Sequence, residues 1–275
     1  MRYYAGFCIL LILAAAGCGP KTIQEKITRA QQWVADGKFE KAAGELPELM
    51  RQMPTDSVVL MLGCRIYMGL NRPDSVVAYA KKFTALYERR IDGYRILYQA
   101  AGAIDDYKTQ LFAVTQIGFL ENDRPRYYPE IARLNFEMGS YGLGMAVCEE
   151  ILKADPGNTQ ARFMLANGLA SVGQLDSAIA IMSDLDRKNP GQIEILSNLG
   201  SFYATKQDYA SALGYFQKAT TLFPDYMPGW FGLGHVRLSL GDTVGAREAY
   251  RQVYQRDTTF LGVDSILRSL APSRF

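Results

Sequence analysis

Residues 193–226 read IEILSNLGSFYATKQDYASALGYFQKATTLFPDY, and this stretch decides the fold. Small and aromatic residues recur in it at places that suit two closely packed helices. These residues are Leu199, Gly200, Tyr203, Tyr209, Ala212, Phe216, Ala219 and Pro224. Gly200 and Ala212 let two helix backbones approach, aromatic rings fill the layer between them, and Pro224 ends the second helix. The stretch therefore predicts a hairpin of two antiparallel helices.

The same pattern recurs in a frame of 34 residues along the chain. The frame predicts seven units, at 23–56, 57–90, 91–124, 125–158, 159–192, 193–226 and 227–260. The second and third units depart from the pattern, since Val76 and Gln110 occupy the place of Ala212. The first unit recovers the pattern with Ala30, Gly37 and Ala42, without any insertion before the regular units. We therefore interpret the two irregular stretches as repeats as well.

The pattern resembles the tetratricopeptide repeat (TPR) family, whose unit is about 34 residues long. This resemblance implies an all-α fold, a right-handed α-solenoid of about seven helix-turn-helix repeats. Glycines such as Gly37, Gly173 and Gly241 stand where a first helix must end. Residues 261–275 follow the last unit, and the apolar spacing within Leu261–Leu270 predicts a capping helix, followed by a short tail.

The first 17 residues differ from the rest of the chain. Arg2 precedes an uncharged, mostly apolar run, Ala5–Ala16, and Gly17 and Cys18 follow its last two alanines. The run is shorter than the roughly 20 residues of a transmembrane helix. It resembles a bacterial lipoprotein signal peptide, although Ala15 stands where that family prefers leucine. An ordinary secretory signal with a chance cysteine is the alternative.

The lipoprotein resemblance implies cleavage before Cys18 and lipidation of its thiol. Residues 18–22 would then tether the first repeat within about 14 Å of the lipid. Lipid chains would hold the protein on a membrane of the bacterial envelope. Gly19 follows the lipidated residue, and we expect the outer membrane, facing the periplasm.

The net charge and the cysteine spacing argue against general nucleic-acid binding and against a disulfide bond. The chain has 30 basic and 28 acidic residues, a net charge of +2, which gives no general attraction to nucleic acid. Cys64 and Cys148 fall two repeats apart, beyond the reach of a disulfide bond. We predict that both are free, small buried hydrophobes.

The sequence contains no recognisable set of catalytic or metal-binding residues, so we expect no enzyme activity, no cofactor and no metal. His235 is the chain's single histidine, and it occupies a position that faces the groove in TPR proteins. The glycines of 139–144 have no preceding strand, and repeat packing accounts for them. The alternative is a carboxylate-dependent cell-wall hydrolase, which requires two facing acids with raised pKa values.

In TPR proteins the concave groove is lined by fixed positions of each first helix. Transferring those positions gives candidate binding residues: Arg65, Arg95, Gln99, Arg126, Arg133, Phe136, Phe163 and Asn167. Guanidinium and amide donors beside apolar surface suit a peptide that carries carboxylates. The alternative is that these arginines only solvate an exposed face. The carboxylate clamp of chaperone-binding TPR proteins is absent, because Phe163, Pro228 and Gly232 replace its basic residues.

We therefore expect a non-catalytic, membrane-anchored scaffold or adaptor that binds a partner protein or peptide during assembly or regulation of an envelope complex. By layout it resembles pilotins, adaptors for cell-wall hydrolases and proteases, and the outer-membrane-protein assembly subunit. A cochaperone-like TPR binder without a lipid is the other alternative.

Overall fold

The computed structural model describes residues 22–270. The predicted signal peptide, Cys18 and the tail after Leu270 lie outside these residues. Between Thr22 and Leu270 the chain forms helices and turns and no strand, which confirms the all-α prediction.

The helices follow one another in antiparallel pairs. In chain order they are α1 (Ile23–Ala35), α2 (Phe39–Gln52), α3 (Ser57–Gly69), α4 (Pro73–Leu86), α5 (Ile91–Gly102), α6 (Tyr107–Leu120), α7 (Tyr128–Glu137), α8 (Tyr141–Ala154), α9 (Thr159–Ser171), α10 (Leu175–Lys188), α11 (Ile193–Thr205), α12 (Tyr209–Leu222), α13 (Met227–Ser239), α14 (Thr243–Tyr254) and α15 (Val263–Ser269). Short 3₁₀ turns, Pro125–Tyr127 and Phe260–Gly262, precede α7 and α15. The pairs follow the frame of 34 residues, and in the fourth pair the 3₁₀ turn that starts at Pro125 keeps this frame while α7 begins at Tyr128.

The chain divides into two compact units, and the division falls within α5, after Ala100. In the first unit, α1 packs against α2 and α3, and α3 packs against α4. In the second unit, α7 packs against α8 and α9, and α11 packs against α12 and α13. Within each unit, first helices of adjacent pairs therefore contact each other, as α1 does with α3, α7 with α9 and α11 with α13. We call the surface that these first helices present the first-helix face of each unit.

The turn inside every pair uses a left-handed residue at the same repeat position. These seven residues have φ between 53° and 82° and are Gly37, Asn71, Asp105, Gly139, Gly173, Gln207 and Gly241. The residue after each one donates a backbone hydrogen bond into the last turn of the first helix, as from Asp208 to the carbonyl of Tyr203 at 2.9 Å. The predicted turn glycines are confirmed, and asparagine, aspartate and glutamine take the same conformation in three repeats.

Aromatic rings of the second helices lie directly on glycines of the first helices. A Cβ atom at Gly200 would lie 2.9 Å from the ring of Phe216, and one at Gly232 would lie 2.5 Å from the same ring. Phe216 is 4% exposed and belongs to α12, so its ring fills the space between α11 and α13. In the first unit, Tyr79 lies on Gly63 in the same way, at 2.4 Å from a Cβ built there.

The helix α15 covers the last repeat. Val263 is fully buried, and Ile266, Leu267 and Leu270 pack against a cluster that includes Tyr250 and Val253 of α14. The Arg247 side chain of α14 donates a hydrogen bond to the carbonyl of Leu270. The apolar stripe seen in the sequence is therefore the buried side of a short terminal helix.

Both described cysteines are free and fully buried, as predicted. Burial raises the pKa of the Cys64 thiol to about 12 and that of the Cys148 thiol to about 11. Such thiols remain protonated and unreactive at neutral pH.

Candidate functional site

The first unit carries a cavity of about 250 Å³ on its first-helix face. We call it the Arg65 pocket, and its lining residues are Gln31, Ser57, Val58, Met61, Leu62, Arg65, Arg90 and Asp92. They come from α1, α3, the residue before α5 and the first turn of α5. Arg65 was among the binding residues predicted from the sequence.

Two of the three charged groups of the Arg65 pocket neutralise each other. The Arg90 guanidinium donates to both oxygens of Asp92, at 2.6 and 3.1 Å. This pairing raises the pKa of Arg90 and lowers the pKa of Asp92. Arg65 is exposed and has no ion pair or side-chain hydrogen bond with any residue from 22 to 270. The pocket therefore keeps one uncompensated positive charge.

The other predicted residues of the first unit are Arg95 and Gln99, both exposed on α5. They follow one another at a spacing of four residues, so they share one side of that helix. Arg95 lies on α5, the first helix of its pair, as the binding prediction requires. Arg95 also interacts with other residues of the protein.

The two predicted arginines of the second unit already have acidic partners. Arg126 lies in the 3₁₀ turn before α7, 3.8 Å from the Glu121 carboxylate and over the ring of Tyr127. Arg133 donates to both oxygens of Glu130, at 2.6 and 2.9 Å, and its guanidinium lies 3.8 Å from Glu137. The prediction of these two arginines did not take the ion pairs into account, and the pairs reduce what either arginine can offer to a ligand.

The remaining predicted residues are Phe136, Phe163 and Asn167, and they differ in what they contact. A Cβ atom at Gly144 or at Gly168 would lie 2.7 Å from the Phe136 ring, so this ring fills the contact between α8 and α9. Phe163 lines a cavity of about 260 Å³ together with Leu185 and Ile195. The carbonyl of Asn167 accepts a hydrogen bond from the Ser171 hydroxyl, one turn later in α9.

The second unit has its own cavity on the first-helix face, of about 380 Å³. We call it the His235 pocket, and it is lined by Ser201, Ala204, Thr205, Phe216, Phe231, Gly232 and His235. Its walls are the exposed sides of α11 and α13, its floor is the buried ring of Phe216, and its lining contains no arginine, lysine or carboxylate.

Most residues of the His235 pocket were missed in the sequence, although the repeat frame contains the signal. His235 occupies the ninth position of the seventh repeat, as Arg65 does in the second repeat and Gln31 in the first repeat. Ser201, at the ninth position of the sixth repeat, also lines the His235 pocket. Arg133 occupies the same position in the fourth repeat, where acids of its own helix hold it, so the position alone does not identify a pocket.

The described residues show no arrangement typical of metal binding or membrane crossing. Among residues 22–270 no group of three or more histidine, cysteine or acidic side chains is placed to hold a metal ion. In the same range no helix has both the length and the apolar character needed to span a bilayer.

Two TPR family models match the chain, one over residues 135–199 and one over residues 198–259. The chain therefore contains tetratricopeptide repeats. Repeats of this kind generally form scaffolds that bind other proteins, and the matches indicate no enzyme family.

Curated relatives share only short segments with the chain. The general transcriptional corepressor trfA of Dictyostelium discoideum is 34% identical over 82 residues, which are 30% of this chain and 6% of that protein. The heat shock protein sti1 homolog of Schizosaccharomyces pombe is 40% identical over 63 residues, which are 23% of this chain and 11% of that protein. The chain thus spans only a small part of the length of these relatives.

Solved structures resemble the chain over most of its length. A tetratricopeptide repeat protein from Parabacteroides merdae matches with a TM-score of 0.57 and 14% identity, over 90% of this chain and 98% of that one. The structure of the APC/C hetero-tetramer Cut9-Hcn1 matches with a TM-score of 0.55 and 12% identity, over 92% of this chain and 50% of that one. At such identities the likeness concerns the fold, and it confirms the all-α TPR solenoid class.

Proposed function

We propose that this chain is a lipid-anchored, non-catalytic adaptor of the bacterial envelope, which binds a partner protein on the first-helix faces of its repeats. The observation that carries the binding role is the pair of open cavities on those faces. Each is lined by exposed side chains that the packing of the helices does not require, such as Arg65 in one and His235 in the other.

The anchoring part of the proposal rests on the sequence before the first repeat. Cys18 follows an apolar run and two small residues, and Thr22 already caps the N-terminus of α1. The Thr22 side chain accepts from the backbone of Glu25, and the Glu25 side chain accepts from the backbone of Thr22. This capping box starts the first helix only four residues after the proposed lipid.

Metabolic labelling with palmitate tests the anchor. We expect the wild-type chain to incorporate label and to fractionate with membranes, and the Cys18→Ser variant to lose both properties. A Cys8→Ser variant is the matched control, because Cys8 lies inside the proposed signal peptide. Equal labelling of the wild type and Cys18→Ser would refute the anchor.

Site-specific photo-crosslinking tests the binding role. A photoreactive amino acid placed at Met61 in the first unit, or at Thr205 in the second, would lie in one of the two cavities. The same amino acid at Gly44 or Gly214 serves as control, because nothing lies within 4 Å of a Cβ built at these second-helix positions.

We expect a defined envelope protein to crosslink from Met61 or Thr205 and not from Gly44 or Gly214. Equal products from all four positions, or none from any of them, would contradict binding on the first-helix faces.

A further inference from the structure

One side of α3 combines apolar side chains with a single arginine. Val58, Met61, Arg65 and Met68 follow at spacings of three and four residues, which places them along one stripe of the helix. Val58 is 44% exposed and Met68 is 48% exposed, so both ends of the stripe lie open. The arginine therefore stands between two accessible apolar patches.

The charge of this stripe comes from Arg65 alone. Arg90, the other arginine of the Arg65 pocket, is held by Asp92 and lies over the ring of Phe83, 5.6 Å from its centre. Arg65 has no acidic partner between residues 22 and 270. A guanidinium in this state offers its donors to a carboxylate in paired geometry.

Uncharged polar groups next to Arg65 are also available. The amide of Gln31 and the hydroxyl of Ser57 line the same pocket, and neither side chain is hydrogen-bonded to another described residue. A peptide backbone in an extended conformation presents donors and acceptors that such groups can bind. These groups suit a main chain passing over α3.

The size of the pocket favours side chains of a larger partner. Its volume of about 250 Å³ is below the roughly 300–1,000 Å³ of typical small-molecule sites. Met61 and Met68 can adapt to apolar side chains of different shape, since methionine is flexible and polarizable.

We propose that the Arg65 pocket binds an extended segment of the partner protein in which one internal acidic residue is flanked by apolar residues on both sides. The carboxylate pairs with Arg65, and the apolar neighbours cover the Val58–Met61 patch and Met68. A C-terminal carboxylate would leave one of these two patches uncovered, so the acidic residue is internal. This inference rests on the proposed function and specifies the chemistry of its partner.

Fluorescence anisotropy with the full chain in detergent tests the inference. The probe is a short labelled peptide, blocked at both ends, with one central glutamate between leucines. Matched peptides carry glutamine or lysine at the centre, and a further peptide ends in a free carboxylate after the leucines. We expect the wild type to bind the glutamate peptide about tenfold more tightly than the glutamine peptide.

Two variants of the same repeat separate the role of Arg65 from general charge effects. In Arg65→Glu we expect the glutamate peptide to lose about tenfold or more in affinity and the lysine peptide to gain affinity. Arg72→Glu is the matched control, because Arg72 is exposed outside the pocket and does not cap α4 with its side chain. It should bind the glutamate peptide as the wild type does.

Equal affinity for the glutamate and glutamine peptides, or unchanged binding by Arg65→Glu, would overturn the inference. Tighter binding of the peptide with the free C-terminal carboxylate would overturn the internal position of the acid. Photo-crosslinking of the wild type distinguishes the two proposals. Products from Thr205 in a wild-type chain that binds the glutamate and glutamine peptides equally would leave the adaptor function standing and the Arg65 inference refuted.

Discussion

The second and sixth repeats reach the same helix packing with different residues. In the sixth repeat the ring of Phe216 lies on Gly200, the eighth position of the unit. In the second repeat that position is Cys64, and the ring of Tyr79 lies on Gly63 instead. Both members of the contact have moved by one residue towards the N-terminus.

This comparison shows that the repeat conserves a contact and not a residue at a fixed place. A ring on a glycine brings two helix backbones close together while filling the space between them. When ring and glycine shift together, the contact survives although two familiar positions of the pattern are lost. An irregular repeat can therefore be as closely packed as a regular one.

The largest expected effect concerns the thiols, and it tests whether the second repeat is as well packed as the others. Burial raises the pKa of Cys64 from 9.0 to about 12, which lowers the thiolate fraction roughly a thousandfold at pH 8. Its alkylation should be very slow in the folded protein, remain slow until the pH approaches the raised pKa, and become fast in denaturant. Cys148 should behave alike.

Peptide-resolved mass spectrometry separates Cys64 and Cys148 from the two cysteines before the first repeat. Rapid alkylation of Cys64 in the native protein, with Cys148 protected, would mean that the irregular repeat is loosely packed. That result would break the comparison.

The next effect is the loss of the ring in the sixth repeat. We expect Phe216→Ala to lower the free energy of unfolding by about 3–5 kcal/mol, because it leaves a cavity between α11, α12 and α13. Chemical denaturation followed by circular dichroism measures this change. Phe119→Ala on α6 is the control, since this ring is 67% exposed and its loss should change stability by less than about 0.5 kcal/mol.

The glycine side of the same contact should be less costly to disturb. We expect Gly200→Leu to destabilise by about 1–3 kcal/mol, since the added side chain must displace the Phe216 ring. Gly214→Leu on α12 is the matched control, because nothing lies within 4 Å of a Cβ there. That control should be neutral or stabilising, since leucine favours a helix by up to about 1 kcal/mol over glycine. Equal effects of both changes would show that the Gly200 contact is unimportant.

Disturbing the shifted contact of the second repeat should also lower the free energy of unfolding, by a smaller amount. Gly63→Ala places a methyl group 2.4 Å from the Tyr79 ring, and its cost is partly offset by the higher helix propensity of alanine. We expect a net loss of about 1 kcal/mol. Gly44→Ala on α2, where a Cβ meets nothing within 4 Å, should stabilise instead. A neutral or stabilising Gly63→Ala would argue against the shift by one residue.

The smallest expected effect is at the turns. Gln207 has φ of 63° at the position where Gly173 has φ of 81°. A left-handed conformation costs about 1–2 kcal/mol in an L-residue other than glycine, so Gln207→Gly removes this cost. Glycine also makes the unfolded chain more flexible, which offsets part of the gain. We therefore expect Gln207→Gly to stabilise the protein by about 0.5 kcal/mol. The reverse change, Gly173→Gln, should destabilise. Thermal unfolding of both variants would sharpen the comparison, and a destabilising Gln207→Gly would contradict it.

The sequence was sufficient to predict the fold because repeat packing depends on local landmarks. Turn glycines such as Gly173 and the ring of Phe216 report directly on helix ends and helix contacts. The frame of 34 residues also located the irregular repeats, whose own residues gave no clear pattern. The shift of the Tyr79 contact was not predictable, because a repeat position does not specify which neighbouring residue a ring will touch.

The candidate site was predicted less well, because charge at a position says nothing about its neighbours. Arg65 and Arg133 look equivalent in the repeat frame, yet Arg133 pairs with Glu130 and Glu137 of its own helix, whereas Arg65 has no acidic partner among residues 22–270. The spacing of three and four residues between Arg133 and these acids was visible in the sequence. Considering ion pairs within each helix would have removed Arg133 and kept Arg65.

The terminal helix α15 has a consequence for self-assembly. A repeat array exposes at its last unit an edge that resembles the edges buried inside it, and in the terms of polymer growth this edge is a reactive chain end. By covering Tyr250 and Val253 with Val263 and its neighbours, α15 acts as a chain terminator. A protein ending before Val263 would present that edge to further copies of itself. The length of the resulting assembly would then depend on the protein concentration.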